Sequence, residues 1–158
     1  MGTVHWTGGP VNVDRAREAL EAQPFSALLG TRLLTFSGSG VTLALAARAD
    51  LRQQDGLLHG GVISYLADNA VAFAAGAVLG PGILTSSLTV DYLHPARGDL
   101  TARAWVVHAG RSRALTRCEV STVSAAGEDV VCALAQGSAV RRRHPDEGAR
   151  LAAAPVET

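Results

Sequence analysis

The residues best suited to chemistry in this chain are His59, Gly60 and Gly61, followed nine residues after the histidine by Asp68. The glycine pair opens a run of about four helical turns, Val62 to Gly76, that is almost wholly apolar. A helix N-terminus carries unpaired N–H groups and a partial positive charge. Gly60 and Gly61 leave those N–H groups unobstructed, so a carbonyl oxygen can approach them. Such a donor set stabilises a developing oxyanion, typically by ~3 kcal/mol in the transition state. Asp68 is the only charge in the four turns. A helix that is apolar all round is buried all round, and an ionised carboxylate there costs several kcal/mol unless partners satisfy it. Its use would be as general base for a water or as direct nucleophile, and the residues leave both open.

One distance constrains how these groups work together. Gly60 and Asp68 are eight residues apart, roughly 12 Å along one helix at 1.5 Å per residue. A reacting carbonyl and its attacking group must come within about 3 Å. The two cannot serve one substrate from one chain, so a site that uses both combines Gly60 of one subunit with Asp68 of another. Two-fold symmetry then gives two equivalent sites per dimer.

The elements that must position these residues follow from the rest of the chain. Asn12 or Asp14 caps a short helix through Glu21, with Pro24 ending it. Phe25–Gly30 reads as one further turn closed by glycine. Arg32–Phe36 and Val41–Ala47 are strand-like runs joined by Ser37-Gly38-Ser39-Gly40, a hairpin signal. A polar loop from Arg48 to Gly56 leads into the glycine pair. After Gly80-Pro81-Gly82 the period changes from helical to alternating, with Ser86, Leu88, Val90 and Tyr92 on one side of a strand. Leu100–His108, Arg113–Val123 and Val130–Val140 are three more strands; in the second, Ala114, Thr116, Cys118 and Val120 point inward. The order is helix, two strands, a long buried helix, four antiparallel strands. A strongly curved antiparallel sheet wrapped around the long helix buries it on most sides in so short a chain. The expectation is an α+β fold: an N-terminal arm and helix over 1–24, one domain over 25–141 and a flexible tail over 142–158.

Composition narrows the function further. At 158 residues the chain is one domain, able to bury roughly two thirds of its unfolded surface. Formal net charge is zero, giving no global field to draw nucleic acid or an anionic membrane. All 14 basic residues are arginine, which excludes Schiff-base chemistry and a P-loop lysine. Cys118 and Cys132 follow no metal spacing and read as small core residues, and no His/Cys/Asp/Glu set suggests a metal. Gly60–Gly80 approaches membrane-span length, but Asp68 near its middle costs roughly 3 kcal/mol. The N-terminus lacks the pattern of a signal peptide, so a cytoplasmic protein is expected.

With these residues in place the chain resembles the hotdog-fold acyl-CoA thioesterases, and more narrowly their PaaI-like (phenylacetate-pathway) branch. The resemblance spans about residues 25–141. It rests on His59-Gly60-Gly61 with Asp68 nine residues on, and on Leu88-Thr-Val-Asp-Tyr-Leu-His-Pro-Ala96 followed by Gly110-Arg111. It implies hydrolysis of an acyl-CoA thioester without a cofactor, in a homodimer or a tetramer. Asp68 matches the family's catalytic carboxylate, Gly60 the glycine whose N–H polarises the thioester carbonyl, and His59 a histidine with an orienting role. Gln53 falls where relatives carry Asn or Gln to position the water or thioester, and Ser86 where some carry a hydroxyl that assists the water. CoA phosphates need arginines at the site mouth. Arg111 and Arg113, at the family's Gly-Arg turn, are the first choice and Arg97 the next, with Gly61 beside the substrate.

Other roles stand beside these. His59 also reads as a helix cap, the glycine pair as packing, and Asp68 as a partner for a neighbouring strand or subunit. Tyr65 and Phe73 read as core or as lining of an acyl pocket. The alternatives to a thioesterase are a non-catalytic acyl-CoA-binding or regulatory hotdog domain and, behind it, a hotdog hydratase or dehydratase.

Overall fold

The computed structural model describes residues 12–142. Residues 1–11 of the expected arm and residues 143–158 of the expected tail lie outside these residues.

The chain begins with α1 (Val13–Glu21), and Asn12 is its cap: the side-chain oxygen accepts from the N–H groups of Asp14 and Arg15. Pro24 does not end a helix but starts one, occupying the first turn of α2 (Pro24–Leu29), where its missing N–H has no intrahelical partner to lose. Gly30 closes α2 in the left-handed conformation at φ 72°. Ala16 and Leu20 of α1 are buried in the same core as the sheet and the long helix. The helical segment before residue 24 is thus part of the packed body.

β1 (Arg32–Ser37) and β2 (Gly40–Leu45) form the expected hairpin. The central helix α3 (Gly60–Leu79) follows, and then β3 (Ile83–Tyr92), β4 (Leu100–Ala109), β5 (Arg113–Val123) and β6 (Asp129–Arg141). All six strands make one antiparallel sheet in the order β1-β2-β4-β5-β6-β3. It curls around α3, which packs against every strand. Leu66, Ala67, Ala70, Val71 and Ala74 of α3 meet Leu43, Leu45, Leu100, Val120 and Cys132 of the sheet in one core. The small residues let helix and sheet approach closely. Gly137 of β6 shows how closely: a Cβ there would lie 2.7 Å from Val71 Cγ1. By length and mean hydropathy (1.6) α3 would cross a membrane, yet most of it is enclosed by its own sheet.

The alternation predicted for β5 holds, with Ala114, Thr116, Cys118 and Val120 all buried. In β3 it does not. The register against β6 slips between Thr85 and Ser87, so Ser86 is the extra residue of a bulge. Leu88 and Val90 still face inward, but Ser86 leaves that row and is exposed.

A buried polar cluster fastens α2 to α3. Tyr65 O–H donates to Ser26 Oγ at 2.7 Å, Asn69 Nδ2 donates to the same oxygen at 3.0 Å, and Thr31 lies 2.9 Å from the Tyr65 hydroxyl. Tyr65 is therefore half-buried with its hydroxyl satisfied, and Phe25 packs edge-on against its ring at 5.1 Å. Cys118 and Cys132 are buried free thiols. Desolvation, with the Glu119 charge second, pushes the Cys118 thiol up to about 12.

Candidate functional site

The entry to α3 is built by the loop before it. Gln53 N–H donates to Leu57 C=O at 2.8 Å, Gly56 turns at φ 72°, and Leu58 N–H is held by Ala96 C=O at 2.8 Å. His59 N–H donates to Leu51 C=O at 2.9 Å, which delivers the histidine to the cap position of α3. There His59 Nδ1 accepts from Gly61 N–H at 2.9 Å, and His59 C=O accepts from Val62 at 2.9 Å and Ile63 at 3.4 Å. The first-turn donors are thereby spent, except one. Gly60 N–H has no acceptor among the described residues. Gly61, expected to face the substrate, instead gives its N–H to the cap, and a Cβ on it would sit 3.0 Å from His59 Nδ1.

A cavity of about 290 Å³ opens beside Gly60, lined by Gln53, Leu57, Ile63, Tyr92 and Pro95 among others. Gln53 and Gly60 thus share one wall, with exposed His59 next to them. Tyr92, which the sequence placed on a strand and within the Leu88–Ala96 signature without a role of its own, reaches over the first turn: its hydroxyl donates to Gly60 C=O at 3.0 Å and is hydrogen-bonded to Ser64 Oγ. An alternating strand shows which residues share a face; it does not reveal that the last one meets a helix N-terminus.

Asp68 lies two turns further along α3. Its Oδ1 is the one buried side-chain polar atom among the described residues without a hydrogen-bond partner. The residue sits on a row with Gly60, Ser64, Ala72 and Gly76, spaced by four and only partly covered, whereas the rest of α3 is mostly buried. Tyr92 meets this row at Gly60 and Ser64, and Ile83 approaches it at Gly76 with 3.7 Å to a Cβ there. The row therefore runs alongside β3, an edge strand of the sheet.

The remaining candidates are dispersed. Ser86 is outside the cavity and donates to Ser138 C=O at 3.1 Å across the bulge. Arg97 is at the Gly60 end, its Nη1 3.5 Å from Gly56 C=O. Arg52, not singled out from sequence, holds the same carbonyl at 2.7 Å and Arg97 C=O at 2.9 Å. Arg111 and Arg113 are exposed in the β4–β5 turn, whose strands pack on the far end of α3 through Ala114, Ala139 and Leu79. A 20-residue helix spans about 30 Å, so those two arginines cannot reach the cavity of their own chain. No cluster of metal-ligating side chains occurs among the described residues.

Comparison with known proteins places this geometry. Residues 55–126 match the model of the thioesterase superfamily. A predicted esterase of Halobacterium salinarum is 36% identical over 90 residues, which is 53% of this chain and 60% of that protein. The crystal structure of a thioesterase family protein from Silicibacter pomeroyi superposes with a TM-score of 0.76 at 28% identity, covering 81% of this chain and 96% of the other. A protein from Thermus thermophilus superposes with a TM-score of 0.66 at 30% identity, covering 76% and 98%. The sheet-wrapped helix and these likenesses agree: residues 55–126 match the thioesterase superfamily, and the chain has the hotdog fold of the thioesterase it superposes on.

Proposed function

We propose that the protein is an acyl-CoA thioesterase, in the PaaI-like branch, that hydrolyses its substrate to a free acid and CoA at a site shared between two subunits. The observation that carries this reading is a pair of unspent groups on one face of α3: the Gly60 N–H and the buried, unpartnered Asp68 Oδ1. They are roughly 12 Å apart along the helix, and the lean of side chains toward the helix N-terminus does not close that gap.

A second copy does. β3 is an edge strand without proline or a basic residue, regular from Ser87 to Tyr92 beyond the Ser86 bulge, and Leu84 and Tyr92 on it are each 53% exposed. Such edges pair unless something blocks them. The small-residue row of α3 lies beside that edge, so two copies related by a two-fold axis bring edge to edge and helix to helix in one step. With the helices antiparallel, Gly60 faces the partner's Asp68 when Ser64, midway between them in sequence, lies at the axis.

In that arrangement the thioester carbonyl accepts from Gly60 N–H, with Gln53 in the same cavity wall to orient the water or the thioester. The partner's Asp68 supplies the carboxylate, taking a proton from water or attacking the carbonyl carbon itself. The C–S bond breaks, the sulfur leaves as the CoA thiol once protonated, and oxygen from water ends in the acid. These steps call for no metal or cofactor. The same symmetry moves the far end of one α3 toward the cavity of the other chain. Arg97 then faces the CoA phosphates from the cavity's own chain, and Arg111 and Arg113 from the other.

Free-thiol release over a panel of aromatic, medium-chain and long-chain acyl-CoAs tests the reading. Wild-type protein should turn over at least one class, and Asp68→Ala should lose about a hundredfold or more of that turnover, the scale of a lost acid–base group. Unchanged turnover in Asp68→Ala, or wild-type protein that binds acyl-CoA without cleaving it, would overturn it.

A further inference from the structure

The proposed chemistry asks one backbone N–H, that of Gly60, to point at a developing oxyanion, and a glycine has no side chain by which packing can fix its orientation. In this structure another residue supplies the restraint. Tyr92 O–H donates to Gly60 C=O at 3.0 Å, and the edge of its ring would lie 3.4 Å from a Cβ on Gly60. The phenol has a single proton, which this bond uses, so the hydrogen bond with Ser64 must be donated by the serine. The result is a directed chain, Ser64 O–H to Tyr92 O–H to Gly60 C=O. It links the first two turns of α3 to the end of β3. Cooperative polarisation strengthens such a chain. On the other side of the same residue, Gly61 N–H is fixed to His59 Nδ1 at 2.9 Å. The Gly60–Gly61 peptide is therefore clamped at both its oxygen and its nitrogen, and Gly60 N–H is the donor left over.

Tyr92 is also placed to act where the chemistry is. It lines the cavity beside Gly60 together with Gln53, and its side chain is about half exposed, so its hydroxyl is not needed to satisfy the core. Leu93 and His94 after it are anchored to Cys132 C=O at 2.8 and 3.2 Å, which holds the tyrosine's backbone against β6.

We propose that Tyr92, backed by Ser64, is a positioning residue for the Gly60 oxyanion donor. This rests on the reading of the site as a thioesterase centre. It adds that the aim of the donor is set by a side-chain clamp outside the His-Gly-Gly and Asp pattern. Because the clamp acts on a group that binds more strongly in the transition state than in the ground state, its loss should fall on kcat and not on KM.

The test uses full-length Tyr92→Phe, Ser64→Ala and the double variant, assayed by free-thiol release on the best acyl-CoA substrate. Tyr92→Phe keeps the ring and removes only the hydroxyl. We expect its kcat to fall tenfold or more with KM changed less than twofold, and Ser64→Ala to fall severalfold. The double variant should be no worse than Tyr92→Phe, because the serine acts through the tyrosine hydroxyl. Wild-type kcat in Tyr92→Phe overturns the proposal, and so does a loss confined to KM or an additive double variant. If the wild-type protein cleaves no thioester, the thioesterase reading fails first, and the clamp is judged by NMR. Displaced or doubled Gly60 and Gly61 amide resonances in Tyr92→Phe then support it, and unmoved ones overturn it.

Discussion

Asp68 and Gly60 were legible from the sequence because each breaks a local rule. A lone carboxylate in an apolar helix has to be explained by a partner or a use, and a glycine pair at a helix start is poor for stability but good for access. The structure gives both points atomic content, in the unpartnered Oδ1 and the one unspent N–H. His59 proved to be a cap through Nδ1, a role the sequence held open beside an orienting one. Tyr92 was not legible, because nothing in an alternating strand says that its last side chain crosses to a helix N-terminus. Cys118 yields a prediction at this scale. With its thiol pushed up to about 12 by burial, the thiolate that reacts is absent near neutral pH. Native protein at pH 8 should therefore leave Cys118 unlabelled by a thiol reagent until denaturant is added, and should add no background to a free-thiol assay. Rapid labelling of native Cys118 would show that the strand is less well packed than described.

At the scale of elements, the pattern of periods carried most of the fold: the central helix, both hairpin partners before it and the four strands after it occupy nearly the expected residues. What periodicity misses are single-residue events. Pro24 reads as a stop, yet the same geometry that forbids it inside a helix suits it to a first turn, so it starts α2. The bulge at Ser86 shifts one residue out of phase, and only the pairing of β3 with β6 reveals it. Strict alternation puts Ser86 on one side of the strand with Leu88, Val90 and Tyr92 for that reason. Gly137, paired with Leu88 close to that bulge, tests how tightly the sheet wraps α3. An alanine Cβ would lie 2.7 Å from Val71 Cγ1 and 2.9 Å from Ser87 C=O. Gly137→Ala should cost about 1–3 kcal/mol of stability through overpacking, read by denaturant unfolding with an unchanged m-value. A wild-type midpoint would mean that β6 and α3 have room to part.

For the whole molecule, the proposal of a shared site rests on helix arithmetic that needs no structure, and the structure adds a face suited to a second copy. The open edge of β3 and the small-residue row of α3 lie side by side. That adjacency was beyond the sequence, because it depends on which strand ends up at the edge. It also divides the candidate arginines, with Arg97 near the cavity of its own chain and Arg111 and Arg113 at the far end of α3. The most direct test of the central claim mixes two inactive chains. Gly60→Pro removes the free N–H at a helix position where proline is tolerated, and Asp68→Ala removes the carboxylate. After subunit exchange, half the dimers are hybrids, each with one intact and one doubly disabled site. Free-thiol release should then recover to about a quarter of the wild-type rate, as two-fold symmetry requires. A mixture as inactive as its parents, with exchange verified by mass spectrometry of the hybrids, would contradict a site shared between subunits.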